Sequence, residues 1–187
     1  DSVASRGLGD VYKRQVRADG SIRHVWERGT NISHDTFDIL EGFIQDVTER
    51  KQADEALREA ERRYRSIFEN AIEGIYQSTP SNGYLAVNPA LARMYGYDSP
   101  QELISTLRDI DHQVYVDPQR RLEFKRLMSK HGVVTNFESR VHRRNGEIIW
   151  ISENARSVYN SDGSLLFFEG TVEAITERKL HEAEIQF

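Results

Sequence analysis

The chain of 187 residues has room for one full core but not for two. With 25 Lys and Arg against 30 Asp and Glu, its formal net charge of -5 argues against nucleic-acid binding by phosphate neutralisation. The absence of cysteine excludes disulfides, thiolate zinc sites and thiol nucleophiles, and no stretch is apolar enough to span a membrane.

Residues 1–15 show neither helical nor strand periodicity and read as a disordered or non-native leader. Next come R-A-D-G-S-I-R-H-V-W-E and E-G-F-I-Q-D-V-T-E-R-K, within residues 17–51. Residues 143–179 repeat this order as R-R-N-G-E-I-I-W-I-S-E and E-G-T-V-E-A-I-T-E-R-K. Gly20 thus matches Gly146, Gly42 matches Gly170, and Thr48 matches Thr176. The first copy, residues 16–48, is expected to carry only the last two strands of the unit, and a lone hairpin is marginal in water.

Between the copies, residues 49–71 contain no Gly or Pro. Ala53, Leu57, Ala60, Tyr64, Ile67 and Ala71 alternate at intervals of four and three, the a/d pattern of a coiled-coil seam. Glu59 precedes Arg63 by one turn in the favoured order, and Thr48 can cap the helix. A parallel dimer along this seam is one reading; a surface helix packed on its own domain is the other.

The complete copy, residues 72–176, is organised by its prolines. Asn88-Pro89, Ser99-Pro100 and Asp117-Pro118 each set a capping residue before a proline at the first helical position. They predict helices starting near 89, 100 and 118, the last running to about Lys130 and stopped by Gly132. Gly74–Ser78 and Tyr84–Val87 read as a hairpin around Asn82-Gly83. Residues 137–143, 147–159 and 165–175 read as three further strands, joined at Asn145-Gly146 and Asp162-Gly163. The expected fold is α+β, a five-stranded antiparallel sheet with short helices on one face, preceded by the long heptad-patterned helix. From Thr176 the helical pattern restarts, so residues 177–187 read as the start of an output helix.

This order resembles a PAS sensor domain with its C-terminal PAC motif. The resemblance is carried by N-P-A-L-A-R-M-Y-G-Y-D-S-P-Q-E-L at 88–103, R-R-N-G-E-I-I-W and the terminal I-T-E-R-K. Residues 16–48 look like the PAC remnant of a preceding PAS domain. The resemblance implies a sensory and dimerisation module in the cytoplasm of a bacterial signalling protein of the histidine kinase or diguanylate cyclase type. Input would arise in a cavity between sheet and helices. Output would leave through an Asp-x-Thr motif into the next helix and so to a covalently linked output domain. The relay residues are then Asp46 and Thr48 in the first copy, and Ala174 and Thr176 in the second. Ala174 departs from the motif aspartate, which weakens the expected coupling. A ligand-free structural relay is the competing reading.

Without cysteine, the cysteinyl-flavin adduct of the light-sensing members is excluded. Haem is disfavoured, because the long helix carries no histidine before His131 and none of the six histidines has metal-ligand spacing. The expected cavity set is Tyr76, Met94, Tyr95, Phe124, Leu127, Phe137, Ser139, Ile151, Glu153, Phe168 and Val172, with Val141 and Ile149 on the same inward faces. Glu153 shares its face with Ile149 and Ile151, and a buried carboxylate there would need an arginine or a cationic ligand group; a twist of the strand would instead carry it to solvent. No phosphate loop, nucleophile elbow or metal set points to an enzyme within the segment. The expected partners are a second copy, through the linker helix or the sheet face, and the output domain. No nucleic acid and no membrane contact are expected.

Overall fold

The computed structural model describes residues 4–34 and 37–185. Residues 1–3 of the expected leader and 186–187 of the expected output helix lie outside the described residues. Contacts divide the chain into two units, Asp1–Tyr64 and Arg65–Phe187.

The first unit is a three-stranded antiparallel sheet of β1 (Ala4–Val16), β2 (Ile22–His34) and β3 (Phe37–Asp46), in the order β1-β2-β3. This corrects one expectation: residues 4–16 form a strand rather than a disordered leader, and it adds to the two strands expected within residues 16–48. The run is Gly-interrupted and polar, so it carries no alternation of its own; its ladder with β2 supplies the order. Tyr12 pairs with Trp26 and Arg14 with His24, while Lys13 reaches Glu27 at 2.5 Å. Trp26 meets Phe43 edge to face at 5.0 Å. Helix α1 (Thr48–Asn70) follows β3 directly, and Glu59 pairs with Arg63 at 2.8 Å.

The second unit contains β4 (Gly74–Ser78), β5 (Tyr84–Val87), α2 (Pro89–Tyr95), α3 (Pro100–Thr106), α4 (Ile110–Gln113) and α5 (Pro118–His131). Then come β6 (Val133–His142), β7 (Ile148–Tyr159), β8 (Leu165–Ala174) and α6 (Thr176–Ile185). The sheet is antiparallel, in the order β5-β4-β8-β7-β6. The hairpin strands coincide with their expected bounds, as do the three proline-led helix starts. Asn88, Ser99 and Asp117 each accept a backbone N–H at a helix start, and Gly132 ends α5 in the left-handed conformation.

Two details differ from the expectation. The four-residue α4 was not foreseen, and β6 begins at Val133 rather than 137. A register shift between Val134 and Phe137, with Asn136 at φ 50, interrupts the alternation there and hides the strand's first turn from pattern reading. The core lies between sheet and helices. Leu91, Leu103, Val114, Val141, Ile151 and Val172 are its most enclosed apolar members.

Candidate ligand cavity and helix junction

A cavity of about 330 Å³ opens between the sheet and the helical layer of the second unit. Its wall comes from β4 (Tyr76, Ser78), the β4–β5 hairpin (Asn82, Tyr84), α2 (Tyr95), the segment after α4 (Tyr115), α5 (Arg121, Phe124, Lys125, Met128) and the sheet beyond (Glu153, Phe168).

Glu153 is its polar centre, only 5% exposed. The Tyr76 hydroxyl donates to Oε1 at 2.5 Å and the Tyr115 hydroxyl to Oε2 at 2.7 Å. Burial pushes the Glu153 carboxyl above its ordinary range, while the two hydroxyls and Arg121 pull partly the other way. The same burial, reinforced by the charge of Glu153, pushes the Tyr76 and Tyr115 hydroxyls well up, so both stay donors. Of the two placements open to Glu153 in the sequence, the inward one is found, without the arginine or ligand cation expected as its direct partner. Its direct partners are tyrosines.

Gly170 makes the Tyr76 contact possible. A Cβ there would stand 2.9 Å from the Tyr76 hydroxyl and 2.3 Å from the Asn154 carbonyl oxygen. Its repeat partner Gly42 has the same relation to the Arg28 carbonyl, at 2.6 Å.

Arg121 sits on the opposite wall, its side chain only 12% exposed. Its Nε donates to Asp111 Oδ1 at 2.6 Å and its NH2 group to Asn82 Oδ1 at 3.1 Å. The guanidinium lies over the rings of Tyr115, at 5.0 Å, and Phe124, at 5.1 Å. Lys125 also bonds Asp111. Burial alone would raise the Asp111 carboxyl, but the Lys125 and Arg121 hydrogen bonds outweigh it and hold the group below its ordinary range. Asn82 is held at φ 80 in the hairpin turn and donates to Asp109 at 2.6 Å, which fixes its carbonyl toward Arg121.

Of the expected cavity residues, Tyr76, Tyr95, Phe124, Glu153 and Phe168 lie on this wall. Leu127 and Phe137 line a separate hollow beside Arg120, and Phe137 packs edge to face on Phe124 at 5.4 Å. Met94 is half-buried beside the core, with its carbonyl accepting from Arg143. Ser139, Ile151 and Val172 are buried in the core, as are Val141 and Ile149, and the Ser139 hydroxyl has no hydrogen-bond partner. Sequence reasoning missed Tyr84, Tyr115 and Arg121. Tyr115 lies in a connection, held by a lone bridge to Val141. Arg121 belongs to a charged helical run that reads as solvated.

The relay residues occupy matching junctions. In the first unit the His24 N–H donates to Thr48 Oγ1 (2.8 Å), the Val47 N–H to the His24 carbonyl (2.8 Å), and the Thr48 N–H to Asp46 Oδ1 (3.0 Å). In the second, the Trp150 N–H donates to Thr176 Oγ1 (2.9 Å) and the Ile175 N–H to the Trp150 carbonyl (2.8 Å). Ala174 offers no carboxylate for the third bond. Instead Glu138 on β6 holds Lys179 and Arg178 of α6, each at 2.6 Å. The corresponding first-unit pair, Tyr12 and Lys51, is a cation–π contact at 5.7 Å. The seam residues Leu57, Tyr64 and Ile67 are exposed, as are Ala53 and Ala60, while Ala71 is half-buried. Trp150 is half-buried, flanked by Arg140 and Lys179. Among the described residues there is no cluster of metal-ligating side chains, and no helix is long and apolar enough to cross a membrane.

The sequence profile of the PAS fold family matches residues 84–172. A PAS domain from Colwellia psychrerythraea superposes with a TM-score of 0.54 at 18% identity, over 62% of this chain and 97% of that one. A PAS domain of a two-component sensor histidine kinase gives 0.51 at 20% identity, over 63% and 98%. A sensory box histidine kinase/response regulator from Burkholderia thailandensis gives 0.50 at 24% identity, over 66% and 92%. At these identities the likeness is one of fold.

Proposed function

We propose that the chain carries a PAS domain, a sensory signalling module whose cavity receives a small molecule and whose last strands pass the change to α6. The observation that carries this reading is the position of β7. Glu153 faces the cavity from that strand, and three residues earlier Trp150 holds the start of α6: its N–H donates to Thr176 Oγ1, and its carbonyl accepts from the Ile175 N–H just before the helix. A ligand that displaces Glu153 therefore moves the strand on which the helix is seated. Helix α1 would supply a parallel dimer seam through Leu57 and Ile67. The receiving output domain would be covalently linked and lie outside this chain, of the kind found in histidine kinases or diguanylate cyclases. The segment itself would act in the cytoplasm, without catalysis, nucleic-acid contact or membrane contact.

Native mass spectrometry of the full chain, beside the same sample denatured, tests the sensory reading. A mass that leaves on denaturation supports it. A bare protein that also binds nothing from a metabolite library favours a ligand-free relay. One observation already speaks for that second reading: Tyr76 and Tyr115 each give Glu153 a hydrogen bond without a ligand.

A further inference from the structure

The cavity has two unlike ends. At one, each Glu153 oxygen accepts a single tyrosine hydroxyl. An ionised carboxylate offers about four acceptor sites, so acceptor capacity remains. At the other, Arg121 uses its Nε on Asp111 and one NH2 group on Asn82, while a guanidinium carries about five N–H donors. Tyr115 joins the ends: its hydroxyl is on Glu153 and its ring lies beneath Arg121.

Charge balance narrows the occupant. Arg121 and Lys125 are cationic and share Asp111; with Glu153 ionised, the four groups sum to zero. A lone cation or lone anion entering this partly enclosed site leaves an uncompensated charge, which is costly; a zwitterion leaves none and, unlike a neutral molecule, can pair with both charged ends. The rest of the wall is largely aromatic. Tyr76, Tyr84, Tyr95, Phe124 and Phe168 line it, and aromatic side chains suit both an ammonium group and an aromatic body. The volume, about 330 Å³, suits a small ligand rather than an extended cofactor.

We propose that the cavity binds an α-amino acid with an aromatic side chain, its ammonium on Glu153 and its carboxylate on Arg121. The proposal rests on the reading of the cavity as a ligand site and gives that site its chemistry.

Three probes test it on the full chain by isothermal titration: L-phenylalanine, 2-phenylethylamine, which lacks the carboxylate, and 3-phenylpropionate, which lacks the ammonium. L-phenylalanine should bind, and each truncated probe should bind roughly tenfold more weakly or worse, because each loses one of the two pairings and brings in its remaining charge without the opposite one. Glu153→Gln should weaken L-phenylalanine and 2-phenylethylamine but spare 3-phenylpropionate. Arg121→Gln should weaken L-phenylalanine and 3-phenylpropionate but spare 2-phenylethylamine. The probe each variant still binds reports that it has folded. No binding of L-phenylalanine, equal binding of all three probes, or variants that weaken every probe alike overturns the assignment. If L-phenylalanine fails while the native spectrum carries another bound mass, the amino-acid assignment falls and the sensory reading stands. If no probe binds and no mass is present, both fall.

Discussion

Glu153 is the residue whose environment sets the chemistry of the second unit, and its proton makes a measurable prediction. Burial raises its carboxyl above the unfolded value of 4.5. Between the two values the folded state binds more protons than the unfolded state, so stability falls as pH rises through that window. Glu153→Gln removes the effect while leaving Tyr76, Tyr115, Tyr84 and Arg121 in place. The melting temperature of the parent protein should therefore drop relative to the Gln variant as pH rises above the unfolded value. Parallel profiles would contradict the burial of Glu153. Gly170→Ala drives a methyl group against Tyr76 and the Asn154 carbonyl, and should cost about 1–3 kcal/mol by chemical denaturation. Ser139→Ala should be neutral or stabilising by about 1 kcal/mol, because the buried hydroxyl it removes has no partner.

At the scale of elements, the two strand-to-helix junctions are one device with exchanged parts. Both keep the threonine bond to the neighbouring strand. The first adds Asp46 and an aromatic–lysine contact; the second lacks the carboxylate and places Glu138 against Arg178 and Lys179. Lys179 holds the Glu138 carboxyl below its ordinary range, first by hydrogen bonding, with Arg178 assisting. Ala174→Asp should supply the missing acceptor for the Thr176 N–H and slow amide exchange over the first turn of α6, while Glu138→Gln should speed it. Unchanged exchange in both variants would show that neither carboxylate seats the helix.

These elements were unevenly legible in the sequence. Asn88-Pro89, Ser99-Pro100 and Asp117-Pro118 act locally, through a cap and a fixed φ, so their helices could be read from a few residues each. β1 could not, because its order comes from pairing with β2. The cavity divides in the same way. Glu153 follows from strand alternation, but Tyr115 and Arg121 reach it only through a connection and a charged helix that tertiary packing turns inward.

For the whole molecule, the exposed stripe on α1 carries the oligomeric prediction. Leu57 is 60% exposed and Ile67 65%. If the stripe is a dimer seam, the double variant Leu57→Asp, Ile67→Asp should sediment as a monomer at concentrations where the parent is dimeric. A double variant that stays dimeric would move the contact to a sheet face. Among its described residues the first unit exposes Tyr12, Val16, Phe43 and Ile44 and buries few side chains, so its amides should exchange faster than those of the β4–β8 sheet.

The tyrosine-bound carboxyl has a consequence for heat as well as for binding. An ammonium group arriving at Glu153 requires the ionised form, so the fraction of the domain that holds that proton must release it to solvent on complex formation. The apparent enthalpy of titration should then differ between two buffers of unlike ionisation heat at the same pH, and affinity should weaken on acidification. The Gln variant, having no such proton to give up, should return the same heat in both buffers.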